Sequence, residues 1–192
     1  MARPREFDEH QVVQQAMGLF WEKGFRQTTP RDLLAVTGLS KSSLYATFGS
    51  KRGLFLRALA SYTDEQADYM RAMLASGTLR EALTRMYDQV LAVVTRTEGP
   101  DACLVCVTAL EVDDDAEVTE ELGHARLRIE AVLRERIARA REEGQVATER
   151  DPAALARFVF SNNMGLVVLA RAGAEEAELR QVVDEVLSAV CD

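Results

Sequence analysis

Apolar residues along this chain recur at spacings of three and four, the period of an amphipathic α-helix rather than the alternation of a strand. The two stretches richest in β-branched residues, Val90 to Thr97 and Leu104 to Ala109, are flanked by Ala, Leu, Arg and Glu at helical spacing, so no sheet is predicted. A first helix is expected from Asp8 to Lys23 on Val12, Val13, Ala16, Leu19 and Phe20, with Gly24 as its stop. A second begins where Thr29 caps, Pro30 takes the first helical position and Asp32 the third, and Leu33, Leu34 and Val36 turn to the core. Thr37-Gly38-Leu39 makes a tight connection. Ser40 then caps a third helix, Lys41 to Phe48, with Leu39 and Leu44 spaced as a hydrophobic staple. Two short helices around a glycine turn form a helix-turn-helix.

Gly49 breaks the third helix and Ser50 caps a fourth, which runs through Leu54, Phe55, Ala58, Leu59 and Tyr62 to about Ala75. Further helices are expected over roughly 79–97, 102–117, 119–143, 152–172 and 175–190, divided by glycines, Pro100 and an acidic corner near Asp114. The last two carry more Val, Leu, Ala and Phe than one buried face requires, a pattern that suits packing against a second subunit. No repeat, low-complexity tract or Gly/Ser linker interrupts the run, so a domain boundary is a packing boundary, expected around Ser50.

Composition sharpens this picture through charge. The 192 residues are 47 % apolar and 28 % charged, which excludes a disordered chain. The net charge of −8 is unevenly shared. Residues 1–62 hold nine Lys+Arg against five Asp+Glu, or +4, leaving 14 of the 23 basic and 26 of the 31 acidic residues, or −12, beyond them. A basic head suited to an anionic partner thus precedes an acidic body. The opening MARPREFDEH lacks the apolar core of a signal peptide and no run of about 18 apolar residues is read, so a cytoplasmic protein with reduced thiols is expected.

On the third helix, turning Leu44 and Phe48 inward at 100° per residue turns Ser42 and Ala46 outward, flanked by Ser43 and Tyr45, with Lys41 at the N-terminal end. That helix carries no Arg, Asn or Gln, and Lys41 is its one strong donor for guanine. Thymine methyls against Ala46 or Thr47, together with DNA deformability, would then carry much of any sequence preference.

The stretch from Val12 to Leu59, through AMGLFWEKGF, TTPRDLLAVTGLS and KSSLYATFGSKRGLF, closely resembles the signature of the TetR family of transcriptional regulators. The match covers about a quarter of the chain; the rest agrees in helix count and length. The resemblance implies an all-α chain of about nine helices: an N-terminal three-helix helix-turn-helix DNA-binding domain, 1–50, and a C-terminal helical effector-binding and dimerisation domain, 51–192. It further implies a homodimer joined through the last two helices and a palindromic double-stranded DNA operator, with repression relieved by a small molecule; activators share the architecture, so the sign stays open. By the same resemblance Thr29, Tyr45 and Lys51 match phosphate-contacting positions and Lys41, Ser42, Ser43, Ala46 and Thr47 positions near bases, while Arg31 suits either. Trp21, the sole tryptophan, is read as packing rather than base stacking.

Candidates for an effector pocket in the body are Tyr69, Met73, Met86, Tyr87, Cys106, Leu110, His124, Arg128, Phe158 and Asn162. Asn162, Asn163 and His124 sit amid apolar runs, where an unpaired polar group costs roughly 1–3 kcal/mol, so each is expected to have a partner. Cys103 and Cys106 form a CxxC on one helical face and leave two readings open: small apolar packing residues, or a thiol pair that senses oxidants or soft metals. No zinc site is expected, because His10 and His124 are the only histidines and a structural zinc takes four ligands. Asp113, Asp114, Asp115 and Glu117 lack the spacing and central glycine of a calcium loop and read as a solvated turn. No nucleophile–base pair, phosphate loop or metal cluster points to an enzyme, and no cofactor is implied. A helical adaptor without DNA binding is the remaining alternative, separable by the salt dependence of DNA binding.

Overall fold

The computed structural model describes residues 7–111 and 115–191. Among the described residues nine helices follow one another with no strand: α1 Glu9–Gln27, α2 Pro30–Thr37, α3 Lys41–Phe48, α4 Lys51–Leu74, α5 Leu79–Val94, α6 Leu104–Glu111, α7 Ala116–Glu142, α8 Pro152–Arg171 and α9 Glu176–Cys191. They form two compact units. The first comprises the described parts of Met1–Thr63 and Cys103–Ala125, the second Asp64–Ala102 and the described part of Arg126–Asp192, so that α4 and α7 contribute residues to both.

In the first unit α1 packs against α2 and α6 around Phe20, Leu33, Leu44, Leu54, Phe55 and Leu59, all fully buried. Each such side chain contributes roughly 1.5–3 kcal/mol by leaving water. The Phe20 and Phe55 rings meet edge to face at 5.0 Å and Phe25 lies 4.6 Å from Phe55, the offset geometries that ring quadrupoles favour. Trp21 is half-buried against Tyr62, ring centroids 5.2 Å apart, so the tryptophan is packing as read.

Local chemistry fixes nearly every helix end here. Asp8 caps α1 by accepting from the His10 N–H at 2.8 Å. Gly24 takes φ +78°, yet it kinks α1 rather than ending it: another turn follows to Gln27, and the Thr28 hydroxyl closes it by donating to the Gly24 carbonyl at 2.7 Å. The first expected boundary was therefore a turn too early. Thr29 and Asp32 form the expected capping box on α2, Ser40 accepts from the Ser43 N–H at 3.1 Å on α3, and Ser50 accepts from the Gly53 N–H at 3.0 Å on α4. Leu44 is buried in the core and Leu39 packs against it, in keeping with the expected staple. Val36, expected inside, is 38 % exposed: Leu33 alone of α2 is fully enclosed, and the eight-residue helix has no room for a second inward row.

In the second unit α5, α8 and α9 pack on one another around Leu79, Leu83, Met86, Tyr87 and Leu91. A second capping box, Thr78 with Glu81, starts α5. The carbonyls at the end of α4 and of the turn that follows it are met by arginines. Arg136 donates to Leu74 at 3.0 Å and Gly77 at 2.8 Å, Arg139 to Ala75 at 2.9 Å, and Arg85 to Ser76 at 2.5 Å, which satisfies orphan acceptors and sets cations at the negative end of the helix dipole. In the first unit α6 is described over Leu104–Glu111, against an expected span of 102–117. Asp113 and Asp114 lie outside the described residues. Asp115 accepts from the Val118 N–H at 3.2 Å and so starts α7.

α8 holds no unbroken apolar run of about 18 residues, yet by length and average composition alone it is long and apolar enough to cross a membrane. Its average reaches that mark although Arg157, Ser161, Asn162 and Asn163 interrupt it, which a search for an unbroken apolar run does not detect. α8 also leaves Phe158, Val168 and Leu169 exposed, whereas the valines and leucines of α9 are buried or half-buried.

Candidate DNA-binding surface

The turn between α2 and α3 is drawn by Gly38, at φ +66°, whose N–H donates to Leu34 O at 3.0 Å; Gly49, at φ +73°, ends α3 by donating to Tyr45 O at 2.9 Å. Between these glycines α3 buries Leu44 and Phe48. Lys41, Ser42 and Ala46 are exposed, and Ser43, Tyr45 and Thr47 half-buried, in the arrangement the 100° step predicts. The Ser40 hydroxyl lies 3.0 Å from that of Ser42 and 2.9 Å from that of Ser43, so the three form one hydroxyl cluster at the N-terminus of α3. Tyr45 packs its ring against the core from this half-buried position.

On α2, Thr29 and Arg31 are exposed. Thr29 donates its hydroxyl to Asp32 at 2.7 Å, and Lys23 pairs with the same carboxylate at 3.1 Å. Hydrogen bonds from the Thr29 hydroxyl and then its backbone N–H, with Lys23 beside them, draw the Asp32 pKa down to about 2.

Lys51 is more constrained than a solvated helix start. Its ammonium donates to Phe25 O at 2.8 Å and Thr28 O at 3.0 Å and sits 4.4 Å from the Phe25 ring centre; burial pushes its pKa down. An ammonium has three donors, so one is left for an outside acceptor.

Sequence reasoning did not single out two further residues that set the pose of α3. Gly53 is bare because a Cβ there would collide with the Phe48 backbone carbonyl, which lets the first turn of α4 lie against the end of α3. Arg57 lies over the Phe48 ring at 5.3 Å and pairs with Glu9 at 3.0 Å. The only sequence signal for the first was a glycine in the opening turn of a helix, and for the second there was none.

The effector candidates divide between the units. Cys106, Leu110 and His124 belong to the first; Tyr69, Met73, Met86, Tyr87, Arg128, Phe158 and Asn162 belong to the second. Met86, Tyr87 and Cys106 are buried and Met73 and Asn162 half-buried, whereas Tyr69, Leu110, His124, Arg128 and Phe158 are exposed. The Tyr87 hydroxyl donates to Val159 O at 3.3 Å, and burial raises its pKa. Arg128 is paired with Asp64. Of the three polar residues expected to need partners, Asn162 donates to Phe158 O at 2.8 Å and His124 lies 3.6 Å from Glu121, while the buried Asn163 Oδ1 has no partner among the described residues. No group of three metal-binding side chains occurs among the described residues.

A capped helix, a glycine turn and a second capped helix with a small, polar outer face define a helix-turn-helix protein of the DNA-reading class. Residues 12–58 match the family model described as bacterial regulatory proteins, tetR family, and residues 77–186 match the tetracyclin repressor-like C-terminal domain. The chain belongs to the TetR family and is a DNA-binding transcriptional regulator, not an enzyme. It is 31 % identical to the uncharacterised helix-turn-helix-type transcriptional regulator YezE of Bacillus subtilis (strain 168), over 98 % of both chains. It is 29 % identical to the transcriptional repressor ComR of Escherichia coli (strain K12), over 96 % of this chain and 90 % of that one. Among solved structures, a cysteine-substituted TetR family regulator, CifR, in complex with a 26-base-pair operator DNA is similar with a TM-score of 0.82 and 33 % identity, covering 98 % of this chain and 100 % of the other.

Proposed function

We propose that this regulator is a cytoplasmic homodimeric repressor that leaves a palindromic operator when a small molecule binds its body, with DNA binding centred on 1–50 and effector binding and dimerisation on 51–192. The observation that carries the DNA half is the exposed face of α3, where Lys41, Ser42 and Ala46 stand clear of the core beside the hydroxyls of Ser43 and Thr47. Lys41, Ser42, Ser43, Ala46 and Thr47 face the bases of a major groove; Thr29, Tyr45 and Lys51 hold phosphates, and Arg31 reaches either. The operator complex of CifR and the repressor relatives favour this reading.

The dimer half follows from α8. At 100° per residue Phe158, Asn162, Gly165 and Leu169 share one face, flanked by Ser161 and Val168, and a Cβ on Gly165 would meet open space. Apolar residues exposed around a glycine suit close approach of the same helix from a second subunit. Such burial, rather than lipid, accounts for an apolar α8 that still carries Arg157, Asn162 and Asn163. For the effector, the unpartnered Asn163 Oδ1 lies on the inward side of α8 with Val159 and Leu166, and it offers a directional acceptor to a small molecule carrying a hydrogen-bond donor.

The test is fluorescence anisotropy of the full chain on DNA from its own promoter over a salt series. Log affinity should fall linearly with log salt, and Lys51→Ala or Tyr45→Ala should weaken binding alike on every sequence. A flat salt response refutes the DNA assignment. Leu169→Asp should convert the dimer to monomer in sedimentation velocity, and an unchanged dimer refutes the α8 interface.

A further inference from the structure

We propose that Cys103 and Cys106 form a dithiol–disulfide switch at the start of α6, closed by hydroperoxides, and that the closed form weakens DNA binding by the head. This rests on the DNA-binding reading above but on no effector. The two sulfurs hydrogen-bond at 3.0 Å, and the Cys106 backbone N–H donates to Cys103 Sγ at 3.3 Å, so Cys103 stands as a sulfur N-cap directly ahead of Leu104. That arrangement favours a thiolate at Cys103: first the Cys106 thiol, then the N–H groups opening α6, hold it below the ordinary thiol range. Cys103 is half-buried and Cys106 buried, which makes Cys103 the attacking sulfur and Cys106 the resolving one.

In the first step the Cys103 thiolate attacks the peroxide; the O–O bond breaks, the leaving hydroxide (an alkoxide from an alkyl hydroperoxide) takes a proton to become water or an alcohol, and Cys103 becomes a sulfenic acid. The Cys106 sulfur then attacks that sulfur; the S–O bond breaks, and hydroxide departs with the Cys106 proton as water. Two electrons pass from the thiols to the peroxide.

The same geometry explains why closure is felt by the head. The two sulfurs lie 3.0 Å apart as thiols, whereas a disulfide holds them about 2.05 Å apart. Closure therefore draws the Cys103 cap onto the first turn of α6. Leu104 and Val105 in that turn are buried in the core that also holds Phe20, Leu33 and Leu44, and Cys103 itself packs against it. At its other end α6 sets the Glu111 carboxylate against Gly24, the kink of α1, whose final turn presents the Phe25 carbonyl to Lys51. Repacking of α6 thus acts on the helix that supports both α2 and the start of α4.

The experiment treats the reduced full chain with hydrogen peroxide and maps disulfides by mass spectrometry after alkylation. It follows Trp21 emission, which reports α1 without DNA, and affinity for promoter DNA. Wild type and Cys191→Ser should each lose two thiols within one chain, shift Trp21 emission and bind DNA about 5- to 150-fold more weakly, the usual span of such couplings, all reversed by dithiothreitol. Cys103→Ser and Cys106→Ala should show no shift. A bond through Cys191 or between subunits overturns the proposal, as does a Cys103–Cys106 disulfide that leaves emission and affinity unchanged. A reduced chain that binds no promoter DNA overturns the proposed function instead, and Trp21 emission then decides the switch.

Discussion

In the first unit helix ends are closed by neighbours in sequence: Thr29 with Asp32, Ser40 with Ser43, Ser50 with Gly53. In the second, α5 and α8 also start on local caps, Thr78 with Glu81 and Asp151 with Ala153, but the end of α4 is closed by Arg136, 62 residues away from Leu74. Short-range closure makes the pose of α3 a property of a few adjacent residues, which is why one 47-residue stretch matching a family model suffices to describe a DNA-reading surface. Long-range closure ties the body to pairings that a related sequence can replace elsewhere, and such a body is free to diverge around a different ligand.

Removing shared packing should have the largest effect. Phe55→Ala deletes the ring that meets both Phe20 and Phe25, and it should lower stability by about 3–5 kcal/mol in urea titrations read by Trp21 emission. A loss under 1 kcal/mol would mean that the caps, not the ring cluster, hold the head. The body's counterpart is Arg136→Ala. Stranding the Gly77 carbonyl and leaving that of Leu74 to the longer Arg139 bond should cost about 1–3 kcal/mol by circular dichroism melts. If Arg136→Lys restores full stability, one charge at the helix end is enough and the forked geometry is dispensable.

Removing a local cap should cost less. Thr29→Ala and Thr78→Ala each abolish one capping box, and each should cost about 1 kcal/mol by denaturant titration. Their consequences should differ, because only Thr29 fixes the helix leading into α3. Promoter-DNA affinity should fall for Thr29→Ala and stay unchanged for Thr78→Ala, and equal losses would dissolve the contrast between the units.

That contrast also decided what could be read from the chain. The starts of α2, α3 and α4 were legible because a cap and its recipient lie within three residues, and the outward face of α3 followed from where Leu44 and Phe48 must point. Gly24 misled because a glycine at positive φ permits a stop or a kink alike, and only the Thr28 hydroxyl on its carbonyl distinguishes them. The Thr78–Glu81 box was legible but overshadowed by Ser76-Gly77, whereas the arginines on the α4 carbonyls were not, since nothing in the sequence reports which distant side chain a carbonyl will meet. His124 was expected to need a partner because apolar residues flank it in sequence, and it lies 3.6 Å from Glu121, yet it is exposed on α7.

The smallest effect separates the two capping acids. Asp32 accepts from Thr29 and also pairs with Lys23, and its pKa lies near 2 against an ordinary 3.8; Glu81 is drawn down mainly by Thr78, with Arg85 contributing through charge alone. A carboxylate depressed by folding adds stability that is complete above its unfolded pKa and is lost as pH falls through its folded one. For Asp32 that window runs from about pH 4 down to about pH 2. Carboxylate NMR titration should place the Asp32 midpoint near 2, and Asp32→Asn should remove that part of the acid sensitivity. Salt discriminates further, because exposed ion pairs are screened and short hydrogen bonds much less so. Raising the ionic strength should move the Asp32 midpoint upward more than that of Glu81, and Lys23→Gln should abolish the difference. If both midpoints move together, the Lys23 pair contributes nothing to the head's closure, and the two units share one capping chemistry.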